Sequence, residues 1–152
     1  MTDYKTWGKS RSLRLKHFDY KGGGRAYHVI VGTCDGDALF RDGDLNEQVV
    51  KSLKKASQIY GYTLIVYCLM PDHLHILIQA KPECKDLTEL IGGFKSYTNR
   101  IAGRKIWQRG FYEHVLRRDE VLIKVAEYIL NNPVRAGLVK RRSEYEWGEV
   151  LI

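Results

Sequence analysis

The sequence lacks the features that would place it in a membrane or in a disulfide-stabilised scaffold. Its 152 residues contain no run of about 18 apolar residues, which a transmembrane helix would need. The first residues, MTDYKTWGKSRSLRLKH, are polar and basic and have no apolar signal-peptide stretch. The three cysteines are an odd number without a CxxC pair, so neither a disulfide framework nor a zinc finger is expected. These absences predict a cytoplasmic protein that does not interact with membranes.

What the sequence does have is clustered positive charge, with a formal net charge of +7 and an isoelectric point near 9.3. Between Ile91 and Arg118, Glu113 is the only acidic residue among the following basic ones: Lys95, Arg100, Arg104, Lys105, Arg109, Arg117 and Arg118. Such asymmetry favours a polyanionic partner, most often nucleic acid. Charge alone leaves a merely soluble basic protein equally open.

The apolar patterns predict one α+β domain, residues 26–152, after a basic N-terminal extension, residues 1–25, which has three glycines at positions 22–24. Strands are predicted at Ala26–Cys34, Tyr62–Met70, His73–Ala80 and Phe111–Leu116, and helices at Leu45–Tyr60, Leu87–Ile101 and Glu120–Asn132. Pro133 is expected to end the last helix. The first six elements match the ferredoxin-like (split βαβ) arrangement, an antiparallel sheet with helices on one face. The other face is then free to present a site.

Two histidines alternate with a leucine in the predicted strand His73–Ala80. Residues i and i+2 of a strand point to the same face, roughly 7 Å apart. His73 and His75 can therefore chelate one divalent cation, provided that a third ligand comes from elsewhere. A pair of half-exposed strand histidines, one of them bonded to Asp72, is the simpler interpretation of this motif alone.

The last predicted helix carries Tyr128 and Asn132, which are four residues apart and share one helix face. Asn132 can offer its carbonyl oxygen as an uncharged ligand. A phenol beside a metal can attack a phosphorus atom if its charge is stabilised, because tyrosine has an ordinary pKa near 10. A packed tyrosine and a helix C-cap asparagine is again the simpler interpretation of the pair by itself.

Three segments in order resemble a known family. PDHLHILI, residues 71–78, is similar to the histidine–hydrophobic–histidine (HUH) signature of rolling-circle nucleases. WQRGFYEHVLRRDE, residues 107–120, and YILNNPVRAGLV, residues 128–139, resemble single-tyrosine transposases of small insertion sequences, especially the REP-associated tyrosine transposases. The resemblance runs from about Tyr27 to about Val139, nearly the whole domain.

The resemblance implies roles for four residues. His73 and His75 become metal ligands for Mg²⁺ or Mn²⁺, Asn132 the third ligand, and Tyr128 the nucleophile on the C-terminal catalytic helix. The implied activity is cutting and rejoining of single-stranded DNA beside hairpins, through a 5′-phosphotyrosine intermediate. Whether the protein acts as a homodimer that exchanges the tyrosine helix, or with the tyrosine in cis, stays open. Tyr112 is a rival nucleophile, disfavoured because no Asn or Gln follows it one helical turn later.

The basic stretch supplies the expected DNA contacts, with Trp107 and Tyr97 as candidates for base stacking. The DNA-binding candidates are Lys95, Arg100, Arg104, Lys105, Trp107, Arg109, His114 and Arg117. A structural role is at least as compatible with the sequence for Trp107, and equally so for His114. The alternative function is a non-catalytic nucleic-acid-binding module on a ferredoxin-like sheet, which would expect aromatic residues where His73 and His75 stand.

Overall fold

The computed structural model describes residues 24–152, except for residues 42 and 118 and the side chains of residues 119 and 120. The strands are β1 (Ala26–Gly32), β2 (Tyr62–Met70), β3 (His73–Ala80), β4 (Tyr112–Leu116) and β5 (Gly148–Val150). The helices are α1 (Gly43–Tyr60), α2 (Leu87–Ala102) and α3 (Asp119–Arg135). Apart from Gly24 and Arg25, the predicted basic extension lies outside the described residues.

The sheet is antiparallel throughout, in the order β4-β1-β3-β2-β5. Without β5, this is the order expected when two β-α-β units interlock, so the ferredoxin-like α+β prediction is confirmed. The hairpin of β2 and β3 turns at Pro71 and Asp72 and brings Met70 opposite His73. That register places the HLH motif at the end of a central strand.

Helices cover both faces of the sheet. One core contains α1, α2 and sheet residues such as Val29, Leu74 and Ile76. The other lies under α3, where Val125 and Ile129 pack on Leu77. Because the central strands are covered on both sides, the sequences of β2 and β3 are nearly continuous apolar runs and do not alternate between polar and apolar residues.

The expectation that Pro133 ends the last helix is wrong, since α3 continues to Arg135. Proline removes one backbone donor but does not forbid a final turn. That turn is closed by a Schellman motif, in which Gly137 N–H donates to Val134 O and Leu138 N–H donates to Pro133 O. Gly137 has the left-handed φ of +77° that this motif requires. The extra turn matters because it carries Arg135 onto the face of Tyr128.

No helix among the described residues is long and apolar enough to cross a membrane.

Candidate active site

Strand register gathers three histidines on the sheet face beneath α3. In the β1–β3 pairing, His28 lies opposite Leu77 and Ile30 lies opposite His75. Alternate residues share a face, so His73 and His75 point to the same side as His28. The rings of His28 and His75 are stacked, with centroids 5.3 Å apart. The site is therefore built by a long-range strand pairing as well as by the local HLH spacing.

The two histidines of the motif converge on one point. Their Nε2 atoms are 3.1 Å apart. Two ligands about 2.1 Å from one octahedral cation would be about 3.0 Å apart, so this separation suits a shared metal ion. On the other side of the His73 ring, Nδ1 lies 2.6 Å from Asp72 Oδ1. A proton shared with this carboxylate fixes Nδ1 as the donor and leaves Nε2 with its lone pair.

Burial keeps the inner two rings neutral. His75 is 3% exposed, and its pKa is lowered well below the ordinary value by burial, then by His28, His73 and Arg135. His28 is fully buried, and burial followed by the proximity of His114 lowers its pKa to about 4. Imidazole binds a metal only in its neutral form, so this environment suits a ligand.

Tyr128 lies directly against these rings. Its ring centroid is 6.0 Å from that of His75 and 6.4 Å from that of His28, with both rings nearly perpendicular to it. The Arg135 guanidinium covers the Tyr128 ring, 3.8 Å from its centroid, and Nη2 donates to the Tyr128 carbonyl oxygen at 3.1 Å. The phenol is thus held between two imidazoles and a cation.

Asn132 lies one turn after Tyr128 on α3. Its Nδ2 is buried without a hydrogen-bond partner. Turning the amide by 180° exchanges nitrogen for oxygen, so this position can carry an uncharged oxygen ligand. Within the described part of the chain, no group of three or more His, Cys, Asp and Glu side chains could hold a metal.

The rival tyrosine is farther from the pair of motif histidines. Tyr112 is on edge strand β4, two strands from β3, and its ring contacts that of His28 at 6.1 Å. Tyr128 contacts His75 itself. This geometry favours Tyr128 over Tyr112 as the nucleophile.

The predicted DNA contacts divide into exposed and internal side chains. The exposed ones are Arg100, Arg104, Lys105, Arg109, His114 and Arg117. Lys95 is half-buried, and its Nζ donates to the carbonyl oxygens of Gln108 and Gly110, so it anchors the loop that carries Arg109. That loop adjoins β1, because Gln108 N–H donates to Gly32 O.

The interpretation of Trp107 as a base-stacking residue needs correction. Trp107 is 1% exposed, and its ring packs between Phe40 and Phe94 at centroid distances of 5.1 and 5.5 Å. Its indole N–H donates to Thr98 Oγ1 at 2.8 Å. The ring therefore belongs to the core and has no face to offer a base. Tyr97 is exposed, but it lines a groove between α1 and α2, on the side of the sheet opposite α3.

Sequence reasoning missed His28 and Arg135. The signal for His28 was a polar side chain inside the apolar strand AYHVIVG. Arg135 follows Tyr128 by seven residues, which is two helical turns, and the spacing would have been informative had Pro133 not been taken as the helix end.

Comparison with known proteins identifies relatives of this chain. The family model described as "Transposase IS200 like" matches residues 24–132. A Haemophilus influenzae protein provisionally described as a REP-associated tyrosine transposase is 27% identical, over 80% of this chain and 77% of the relative. The REP-associated tyrosine transposase of Escherichia coli K12 is also 27% identical, over 55% of this chain and 52% of the relative.

Among solved structures, a REP-associated tyrosine transposase bound to a REP hairpin has the same fold. Its TM-score is 0.74 at 20% identity, covering 88% of this chain and 81% of that one. Since the family model spans most of the domain, the chain belongs to the IS200-like transposase family and is a tyrosine transposase with an HUH motif.

Proposed function

We propose that this transposase cuts and rejoins single-stranded DNA at hairpin-flanked sites, with Tyr128 as the nucleophile. One observation carries the proposal: the Tyr128 ring contacts His75, whose Nε2 atom lies 3.1 Å from that of His73. A nucleophile and a cation site side by side are what phosphoryl transfer to tyrosine requires.

In the cutting step, the Tyr128 oxygen attacks the scissile phosphorus. The bond from the phenolic oxygen to phosphorus forms, and the bond from phosphorus to the 3′-oxygen breaks. The phenolic proton passes to solvent, and the departing 3′-oxygen takes up a proton to become a hydroxyl. The 5′-phosphotyrosine preserves the energy of the phosphodiester, so a 3′-hydroxyl can attack it in reverse and join strands without ATP.

His73, His75 and Asn132 would hold Mg²⁺ or Mn²⁺, which when bound polarises a non-bridging phosphate oxygen. The short contact between Asp72 and His73 and the unpartnered amide of Asn132 fit this donor set. Arg135 holds the phenol through ring stacking and its bond to the Tyr128 backbone, and its positive charge favours an approaching phosphate.

DNA would be held by the exposed cations beside the site. Arg109 is the best placed, because its loop is bonded to the end of β1, where Gly32 lies opposite His73. The hairpin preference is proposed by analogy with the relative of the same fold, which is described as bound to a REP hairpin. Phosphate contacts of this kind give binding that weakens steeply with salt.

The experiment that tests the proposal incubates purified protein with labelled single-stranded hairpin DNA and Mn²⁺, followed by a denaturing gel. We expect a covalent protein–DNA adduct that is lost with Tyr128→Phe or EDTA. Tyr112→Phe is the matched control, because it removes a second phenol that contacts His28, and it should retain the adduct. An adduct that survives Tyr128→Phe would assign the nucleophile elsewhere. Binding without any adduct would leave the non-catalytic nucleic-acid-binding module.

A further inference from the structure

His28 lies beside the proposed metal ligands without belonging to the HUH motif. We propose that His28 is a positioning residue that accepts a hydrogen bond from Nδ1–H of His75 and so supports the tautomer in which the Nε2 lone pair of His75 faces the cation. This inference rests on the metal site in the proposed function and adds a residue from a different strand to it.

The contact that carries the inference joins His28 Nε2 to His75 Nδ1 at 3.0 Å. A neutral imidazole has one donor nitrogen and one acceptor nitrogen. When Nε2 of His75 acts as a ligand, the proton of that ring must be on Nδ1. Nδ1–H then donates to Nε2 of His28, which must be an acceptor and carry its own proton on Nδ1.

The opposite arrangement satisfies the same distances. If Nε2–H of His28 donates to Nδ1 of His75, the proton of His75 is on Nε2 and is shared with Nε2 of His73, 3.1 Å away. The gap between the two motif histidines thus accommodates either a proton or a cation. Cation binding selects the first arrangement, and the tautomers of His28 and His75 change together.

The His28 ring has little freedom to avoid this role. It is fully buried, and Tyr112 and Tyr128 pack their rings nearly perpendicular to it at 6.1 and 6.4 Å. Hydrogen-bond partners that orient ligating histidines typically contribute about 10- to 100-fold to metal affinity. We therefore expect a loss of that size when His28 can no longer accept a hydrogen bond.

The test measures Mn²⁺ affinity of the DNA-free full chain by electron paramagnetic resonance. His28→Phe keeps a ring in the core but removes the acceptor, and should weaken Mn²⁺ binding about 10- to 100-fold. His28→Gln places an amide oxygen near the position of Nε2 and should recover most of the affinity. Trp107→Phe changes a buried ring in the core on the opposite face of the sheet and should leave Mn²⁺ affinity unchanged.

Nitrogen-15 spectra of the wild-type histidines with saturating Mg²⁺ provide a readout that needs no variant. The inference expects protonated Nδ1 and unprotonated Nε2 in both His28 and His75. A protonated Nε2 in His28, or an equal Mn²⁺ affinity for a folded His28→Phe protein, would overturn it. His73→Ala separates the two claims: if wild type and His73→Ala bind Mn²⁺ equally, the metal site itself is wrong and the inference is overturned with it.

Discussion

The side chains around Tyr128 restrict the positions that its phenol ring can take. His28 and His75 lie against its ring, and the guanidinium of Arg135 covers it. At this scale the proposed chemistry depends on buried imidazoles that stay neutral beside positive charge. Because the folded protein keeps these imidazoles neutral, its free energy of unfolding should fall in acid.

We expect the free energy of unfolding to fall as the pH drops from about 6.5 to about 4, measured by urea denaturation in EDTA. The folded-state pKa of His28 is about 4 against 6.5 for an unperturbed histidine, so the unfolded chain binds more protons in this window. The full shift is worth about 3 kcal/mol. His75 has its pKa lowered for the same reason and acts in the same direction. His28→Gln should show a distinctly shallower acid loss, and an equal slope would contradict the assignment.

Core and DNA-binding roles within the basic stretch can be separated by two substitutions. Trp107→Phe removes the bond to Thr98 and part of the packed ring, so stability should fall by about 1–3 kcal/mol with little change in DNA affinity. Arg109→Gln should leave stability nearly unchanged but weaken single-stranded DNA binding. It should also lower the slope of DNA affinity against salt concentration by about one. Urea denaturation and binding titrations at several salt concentrations measure both. Weakened DNA binding by a stable Trp107→Phe protein would restore the stacking role.

At the scale of elements, α3 and its last turn decide whether the proposed catalytic groups meet. Val125 and Ile129 fix the helix on the sheet, while the Schellman closure at Gly137 extends it past Pro133. The extension brings Arg135 onto Tyr128, two turns earlier. The end of α3 is therefore part of the site.

Gly137→Ala should lower the free energy of unfolding by about 1 kcal/mol, because an L side chain is strained at a φ of +77°. Apart from its chain neighbours, no described residue has an atom within 4 Å of the added Cβ, so the effect is conformational. Adduct formation should also slow as Arg135 loses its fixed position. Gly92→Ala is the control: it lies in α2 with the same open space and should instead stabilise by about 0.5–1 kcal/mol. Equal effects from both substitutions would argue against the strained helix end.

At the scale of the whole molecule, one chain supplies every proposed catalytic group. α3 packs on the same sheet that carries His73 and His75, with Leu122, Val125 and Ile129 buried against it. We therefore propose that Tyr128 acts in cis and that exchange of the tyrosine helix between two copies is not needed.

Mixing His73→Ala protein with Tyr128→Phe protein should produce no covalent DNA adduct, because neither chain contains a complete site. The adduct is measured on a denaturing gel against the wild-type protein diluted into each variant, which should keep its activity. Restoration of the adduct in the mixture would demonstrate a helix exchanged between partners.

Local spacing in the sequence was sufficient for most of the elements and for grouping the proposed site residues in two pairs. Alternation along β3 puts His73 and His75 on one face of that strand. Helical periodicity puts Tyr128 and Asn132 on one face of α3. Both patterns depend only on neighbours in the chain. They also predicted the ferredoxin-like order of elements, which the strand order β4-β1-β3-β2 confirms.

Tertiary structure alone decided which distant residues meet. His28 reaches His75 across 47 residues through the β1–β3 register, and Trp107 enters the core because Phe40 and Phe94 enclose it. Arg135 reaches Tyr128 because a glycine closure carries the helix past a proline. Periodicity determines the direction of a side chain relative to its own element. Its contacts depend on how separate elements pack, and no local pattern encodes that.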